Sequence, residues 1–239
     1  ELELNIQKNI PPFLKIYSDL NNIELVSPLN SLSKNKMKIL PTEITINNFS
    51  NPTIKLNNDL VDAYIRDFNK YEGYISIGSK LPEKHASFIK EPGLNIYLSL
   101  NSINENFFDL TFFKNNDSPM LELNMLAFDV KNFQFYDNNL SNLAGIFDLS
   151  KSEVKGDLIS DKLNLNLRMD KTGFMRLEIK DSVIPDLSFL DATRSASDFT
   201  LNARVILKDS AVGKIKIKDF DAYIFNDKRR FAANNLKLN

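Results

Sequence analysis

The residues of this sequence that could do acid–base or metal chemistry are few. His85 is the single histidine, in the segment from Pro82 to Ala86, and cysteine is absent. A two-histidine metal site, a histidine-based triad, a thiolate ligand and a disulfide are therefore all excluded. The sequence predicts an ordinary loop position for His85, no metal site and no cofactor.

Three nearby carboxylates, Asp59, Asp62 and Asp67, form the one cluster that could share a cation. A calcium loop would add glycine and further oxygen ligands at fixed spacing, and none follows here. Solvated surface charge is the favoured interpretation. A hydrolase that uses Asp59 and Asp62 on a β scaffold stays open as a third hypothesis, but we expect no catalytic site and no enzyme activity.

Sites for phosphate and nucleic acid are also poorly represented. The seven glycines do not recur at the spacing of a phosphate-binding turn. Lys228-Arg229-Arg230 beside Phe231 could meet phosphate head groups or nucleic acid, although a charged hairpin tip is the favoured interpretation. Thirty basic residues against thirty-one acidic ones leave a net charge of -1, which provides no overall field to attract nucleic acid. We expect no nucleic-acid partner.

The elements that must position any site are strands. The sequence has 239 residues, of which 43% are apolar and 26% charged, enough apolar material to bury a core. Apolar and polar residues alternate in many short runs that are separated by Asn, Asp, Gly and Pro, as in strands with one buried face. We predict a mainly β fold, either a long curved antiparallel sheet that forms a groove or a β-sandwich. The turn Asp170–Gly173 gives the clearest hairpin signal.

Three segments depart from this alternation. After Pro11-Pro12, apolar residues between 13 and 20 recur at spacings of three and four, which predicts a short N-terminal helix. Residues 60–68 fit either a helix or a strand. The segment 81–93, with two prolines and a glycine, predicts a long loop.

The whole range 1–239 is interpreted as one β-rich unit, with a possible subdivision near 81–93. Because the sequence starts on Glu1 rather than on methionine, we expect it to be a piece of a longer protein. Contact with a membrane would then come from flanking regions outside this sequence, since no apolar run here approaches the ~20 residues that span a bilayer.

The C-terminal ninety residues resemble a known family. An alternating run from Phe199 to Val205 is followed by a turn at Gly213, a second run from 214 to 224, a charged tip and a last run from 235 to 238, and the hairpins of 153–179 repeat the pattern. This pattern resembles that of the AsmA-like envelope proteins, the group that includes the TamB and YhdP types. The resemblance implies a β-sheet groove in the Gram-negative periplasm, anchored at the inner membrane, which moves phospholipid toward the outer membrane.

Two functions follow from an apolar strand face. The leading hypothesis is a non-enzymatic module that binds or conducts phospholipid or another acyl-chain ligand. The alternative is a structural or adhesive β module whose strand edges and Asn-rich loops hold an envelope protein partner. The face could also be a dry core, which is the commoner role of such residues, because a core and a lipid groove demand the same apolar pattern. The candidate lining residues are Leu163, Leu165, Leu167, Leu177, Ile179, Leu201, Ala203, Val205, Ile215, Ile217, Ala222 and Ile224.

Overall fold

The computed structural model describes residues 1–8, 10–26, 33–67, 70–104, 123–135, 138–149, 153–184, 202–227 and 230–238. Within these ranges the chain forms sixteen strands and a short 3-10 helix, Glu83–Ile89. The strands are β1 (Leu2–Gln7), β2 (Ile10–Ser18), β3 (Thr42–Asn47), β4 (Thr53–Asn57), β5 (Val61–Asp67), β6 (Glu72–Ile77), β7 (Leu94–Asn104), β8 (Leu123–Phe135), β9 (Asn138–Asp148), β10 (Val154–Ile159), β11 (Asn164–Met169), β12 (Met175–Lys180), β13 (Val183–Ile184), β14 (Asn202–Val212), β15 (Ile215–Asp227) and β16 (Arg230–Leu238).

All sixteen strands belong to one open sheet, which confirms the prediction of a mainly β fold. Fifteen of them lie side by side in chain order, and β13 pairs with β14. The five successive pairings from β1 to β6 are antiparallel. Among the described strands the prediction of an antiparallel sheet is wrong at three pairings, because β6 pairs parallel with β7, and β12 and β13 both pair parallel with β14. A parallel pair needs a connection that carries the chain back along the sheet, and the segment 78–93 does this after β6.

The predicted N-terminal helix is a strand, β2. Leu14 and Ile16 alternate along it and pair with apolar residues of both neighbours, β1 and β3. This match on two sides outweighs the local spacing of three and four that suggested a helix. Pro11-Pro12 stands at the start of β2, opposite a register shift in β1, where a missing N–H is tolerated.

The segment 60–68, which fitted either a helix or a strand, contains strand β5. The segment 81–93, predicted as a loop, contains the 3-10 helix. The hairpin at Asp170–Gly173 joins β11 to β12, with the Asp170 N–H donating to the Phe174 carbonyl at 3.0 Å. The segments 105–122 and 185–201, and Lys228-Arg229 of the basic cluster, lie outside the described residues.

The chain divides into two compact units. The first contains the described residues from Glu1 to Leu100 and from Leu123 to Ala127. The second contains residues 101–104 and the described residues from Phe128 onward.

Candidate functional site

The second unit carries an uninterrupted apolar face across β9 to β15. Residues that pair across neighbouring strands point to the same side of a sheet, so the strand registers define rows of side chains. The first row consists of Gly145, Leu158, Leu165, Ile179, Leu207 and Phe220. The second consists of Phe147, Gly156, Leu167, Leu177, Val205 and Ala222. The third consists of Val154, Met169, Met175, Ala203 and Ile224.

Most of this face is only half-buried. Leu165, Leu167, Leu177 and Val205 keep part of their surface accessible, whereas Leu207 is 6% exposed. Large aliphatic side chains in the middle of a closed core are normally buried completely. The apolar face of the second unit therefore remains partly open.

Two glycines on this face are covered by aromatic rings. A Cβ atom at Gly145 would meet the Phe128 ring at 2.5 Å, and one at Gly156 would meet the Phe147 ring at 2.2 Å. The two rings stack with centroids 6.1 Å apart. Aromatic cover of strand glycines restores apolar contact where the side chain is missing, so the apolar surface continues over both positions.

The opposite face of the same strands is charged. One row there consists of Lys155, Arg168, Arg176, Arg204 and Tyr223, and the neighbouring row of Asp157, Asn166, Glu178, Ile206 and Asp221. The sheet of the second unit is thus strongly amphipathic, with one hydrated face and one apolar face.

Ion pairs bridge the rows of the charged face. The Arg204 guanidinium donates to both carboxylate oxygens of Asp221, at 2.9 and 2.6 Å. The Glu178 carboxylate lies 3.1 Å from the Lys180 ammonium and 3.5 Å from that of Lys208. The hydrogen bond from Lys180, with the charges of both lysines, lowers the pKa of Glu178. These contacts keep the charged face organised in water.

The first unit shows the same division over β1 to β7. One row on its apolar face consists of Leu2, Ile16, Ile44, Leu56, Ala63, Ile75 and Ile96, and the next of Leu4, Leu14, Ile46, Ile54, Ile65, Gly73 and Leu94. A row on the opposite face consists of Glu3, Lys15, Thr45, Lys55, Tyr64, Tyr74 and Asn95.

The crossover of the first unit packs on the polar face and not on the apolar one. The Asn95 side chain, fully buried, donates to the carbonyls of Gly73 at 3.1 Å and Phe88 at 3.2 Å and accepts from Asn124 at 2.9 Å. The crossover therefore covers the polar face at this point, whereas the apolar face on the other side of the same strands is partly open: Ile75 and Ile96 are half-buried and Leu94 is 3% exposed.

His85 belongs to this packing, although the sequence predicts a loop position for it. Its side chain is 9% exposed, with ring centroids 5.2 Å from Phe88 and 5.1 Å from Tyr97. The imidazole thus helps to seat the 3-10 helix on the polar face. No group of three or more His, Asp or Glu residues in the described ranges could hold a metal ion.

The acidic residues considered as a cation or hydrolytic site are also placed by the structure. Asp62 accepts the Tyr74 hydroxyl at 3.1 Å and the Leu81 N–H at 3.3 Å, so it ties β5 to the crossover. Burial, together with the charge and hydrogen bond of Asp62, raises the pKa of Tyr74 to about 12. Asp59 and Asp62 line two different open pockets, of about 770 and 440 Å³. They do not converge on one site.

Eight of the predicted lining residues share one face. Leu165, Leu167, Leu177, Ile179, Ala203, Val205, Ala222 and Ile224 all lie in the three apolar rows of the second unit. Leu163 is half-buried just before β11. Side chains alternate between the two faces along β15, so the odd-numbered Ile215 and Ile217 lie on the face opposite to the even-numbered Ala222 and Ile224. Leu201 lies outside the described residues.

The apolar rows of the first unit and the aromatic residues Phe128 and Phe147 were not among the predicted lining residues. The rows of the first unit could have been predicted from the alternation of apolar and polar residues in Leu2–Ile6, Ile44–Ile46 and Leu94–Leu100. This alternation matches that of the C-terminal strands.

No helix in the part of the chain that the structure describes has the length and apolar character needed to cross a bilayer. Comparisons with protein-family models, with curated proteins and with solved structures give no match.

Proposed function

We propose that this chain is a non-enzymatic module that binds or conducts lipid, with the apolar face lining a groove for acyl chains. The observation that carries the proposal is the apolar face of the second unit: seventeen positions in three rows without a polar side chain, most of them half-buried. An apolar face that stays partly open needs an apolar partner, because exposed contiguous apolar surface is costly in water.

The dimensions fit an acyl chain. The first row crosses six strands, β9 to β15, and neighbouring strands lie ~4.8 Å apart, so the row is roughly 24 Å long. One leaflet of a bilayer contributes about 15 Å of hydrocarbon. Each buried CH₂ contributes ~0.8 kcal/mol, so a chain lying along the row gains several kcal/mol without any specific polar contact.

The position of the crossover also supports the proposal. A connection that returned over the apolar face would shield it, as the helices of α/β proteins shield their sheets. In the first unit the 3-10 helix instead buries Asn95 and Tyr97 on the polar face, and Ile75 and Ile96 stay half-buried. The crossover thus leaves part of the apolar side uncovered, which is compatible with a ligand on that side.

The cellular setting completes the proposal. The resemblance to AsmA-like envelope proteins implies a periplasmic location, an inner-membrane anchor in flanking regions, and phospholipid as the cargo. Strands that follow one another laterally in chain order suit this role, because each added strand lengthens the apolar face by one step.

The test is native mass spectrometry of the chain purified from a bacterial host, with extraction and identification of any bound lipid. We expect bound phospholipid in the wild type and its loss in Leu165→Asp. Asn164→Asp is the matched control, since it places the same charge one residue away on the opposite face. A lipid-free wild-type mass would contradict the proposal.

A structural or adhesive module is the second candidate. It is favoured by the exposed apolar side chains of β1, where Leu2, Leu4 and Ile6 are 66%, 54% and 72% exposed. Exposed apolar surface of this kind is typical of sites that bind other proteins. A preparation that carries a stoichiometric protein partner and no lipid would favour this function.

A further inference from the structure

A pocket of about 440 Å³ lies on the polar face of the first unit, over β3 to β6. Its floor is formed by side chains from two neighbouring rows of that face, and Ile89 of the 3-10 helix stands at its side. We call it the tyrosine pocket, because Tyr64 and Tyr74 line it. Its volume falls within the range of ~300–1,000 Å³ that is usual for small-molecule sites.

Hydrogen bonds hold the walls of the tyrosine pocket in place. The Arg66 guanidinium donates to three consecutive backbone carbonyls, 89 to 91, at 3.2, 2.9 and 2.7 Å, which fixes the end of the 3-10 helix. The Tyr74 hydroxyl donates to Asp62 at 3.1 Å, which fixes the Tyr74 ring. A ligand therefore meets a preformed site, and binding costs little ordering of the protein.

Two aromatic rings and an aliphatic side chain give the pocket an apolar part. Tyr64 and Tyr74 lie opposite each other on β5 and β6, with ring centroids 6.4 Å apart, and Ile89 is 40% exposed. Tyr74 is 9% exposed, whereas Tyr64 is half-buried. Lys55, which also lines the pocket, places its ammonium 5.6 Å over the Tyr64 ring. One face of the Tyr64 ring is therefore accessible from the pocket.

The polar groups of the pocket include both acceptors and donors. Both hydrogen bonds that Asp62 accepts from described residues go to Oδ2, so Oδ1 is available to a ligand. Glu43 accepts the Thr45 hydroxyl through Oε1 at 3.3 Å, which leaves Oε2. Lys55 and Asn57, both exposed, supply an ammonium and an amide as donors. A ligand can thus donate and accept hydrogen bonds in the same pocket.

This combination disfavours a charged ligand. An anion would meet two carboxylates, Glu43 and Asp62, against the single ammonium of Lys55. A cation would compete with that ammonium for the face of the Tyr64 ring. A sugar ring has hydroxyl groups that both donate and accept, and it has C–H groups that can pack on an aromatic face.

We propose that the tyrosine pocket binds a neutral saccharide, with one sugar ring packed on Tyr64 and its hydroxyl groups bonded to Asp62 and Glu43. Lys55 and Asn57 donate to the same ring from the exposed side of the pocket. The site lies on the polar face of the first unit, so it does not depend on whether the apolar face binds lipid.

The test begins with a glycan array that carries neutral, sulfated and sialylated oligosaccharides, followed by isothermal titration calorimetry with the neutral glycan that binds best. Tyr64→Ala should weaken binding about tenfold, because it removes the aromatic face, whereas Tyr64→Phe keeps the ring and should bind like the wild type. Tyr17→Ala is the matched control: Tyr17 is a half-buried tyrosine of the same polar face, outside the pocket. It should leave the affinity unchanged.

A second variant tests the polar part without disturbing the fold. Asn57→Ala changes an exposed side chain, so circular dichroism should be unaltered while the affinity falls several-fold. The proposal is overturned if the wild type binds no neutral glycan, if it prefers sulfated or sialylated ones, or if Tyr17→Ala weakens binding as much as Tyr64→Ala. Leu165→Asp, in the second unit, should bind the glycan normally even where it has lost lipid.

Discussion

Replacing Leu165 by aspartate places a carboxylate in the middle of the apolar face of the second unit. Leu165 lies in β11 and pairs with Leu158 on one side and Ile179 on the other, so no polar neighbour on that face can receive the charge. Because Leu165 is half-buried, the substituted chain can still fold with the carboxylate in contact with water. Bound lipid would have to cover that charge.

The size of the effect follows from the geometry. An acyl chain that crosses one strand passes ~4.8 Å, which corresponds to about four CH₂ groups. At ~0.8 kcal/mol for each fully buried CH₂, contact from one side contributes about 1.6 kcal/mol. Desolvating the new carboxylate costs a further ~1.5 kcal/mol or more. A total of about 3 kcal/mol weakens lipid binding about 100-fold.

The assay compares three single substitutions. Lipid occupancy is measured by native mass spectrometry, and the free energy of unfolding by urea denaturation followed by circular dichroism. Leu165→Asp should lose lipid and about 1–2 kcal/mol of stability, whereas Leu207→Asp, at a buried position of the same row, should lose ~4 kcal/mol or fail to fold. Asn164→Asp should keep both lipid and stability.

Two results would refute the reasoning. If Leu165→Asp unfolds as severely as Leu207→Asp, the face is a closed core and not an open surface. If Leu165→Asp folds and retains its lipid, or if Asn164→Asp loses lipid to the same extent, the acyl chain does not lie on this face.

Three further predictions concern the framework. Asp62→Asn should lower the pKa of Tyr74 from about 12 part of the way toward its ordinary value of ~10, since burial is the larger cause; spectrophotometric titration of tyrosinate measures this. Tyr74 loses its proton at a lower pH in the unfolded chain than in the folded one, so the free energy of unfolding should fall as the pH rises from ~10 to ~12. This decrease should be smaller in Asp62→Asn. Asn95→Ala should cost ~2–3 kcal/mol in urea denaturation, since it leaves the buried groups that it satisfies without partners. Arg204→Ala should cost about 1 kcal/mol and leave lipid occupancy unchanged, because its pair with Asp221 lies on the charged face with side chains 34% and 29% exposed, where water still screens it.

The sequence predicts the apolar face well where alternation and turn chemistry agree. Asp170 and Gly173 fix the hairpin, and the registers of β11 and β12 then bring Leu165 and Ile179 together. The same reasoning fails on β15, where the apolar positions change from odd to even between Ile217 and Phe220. A strand of constant register keeps these two residues on opposite faces, so a run of apolar residues does not by itself show which side each one occupies.

Other features depend on contacts that are remote in sequence. Leu14 and Ile16 lie in a strand and not in a helix because they pair with apolar residues of β1 and β3. Those partners are remote in sequence, so the spacing of apolar residues within 13–20 does not reveal them. The choice of the polar face by the crossover depends on Asn95, Phe88 and His85 meeting across separate elements. Alternation says that a strand has two different faces but not which one a connection will cover.

The lateral order of the strands has a consequence for how the protein unfolds. From β1 to β6, and again from β9 to β12, each strand pairs with its immediate neighbours in sequence. Stability in such an array is close to a sum of nearest-neighbour terms, as in repeat proteins, so a few neighbouring strands can open while the rest of the sheet stays paired. Amide hydrogen exchange should therefore show several levels of protection along the sheet, in place of the single cooperative transition of a closed domain.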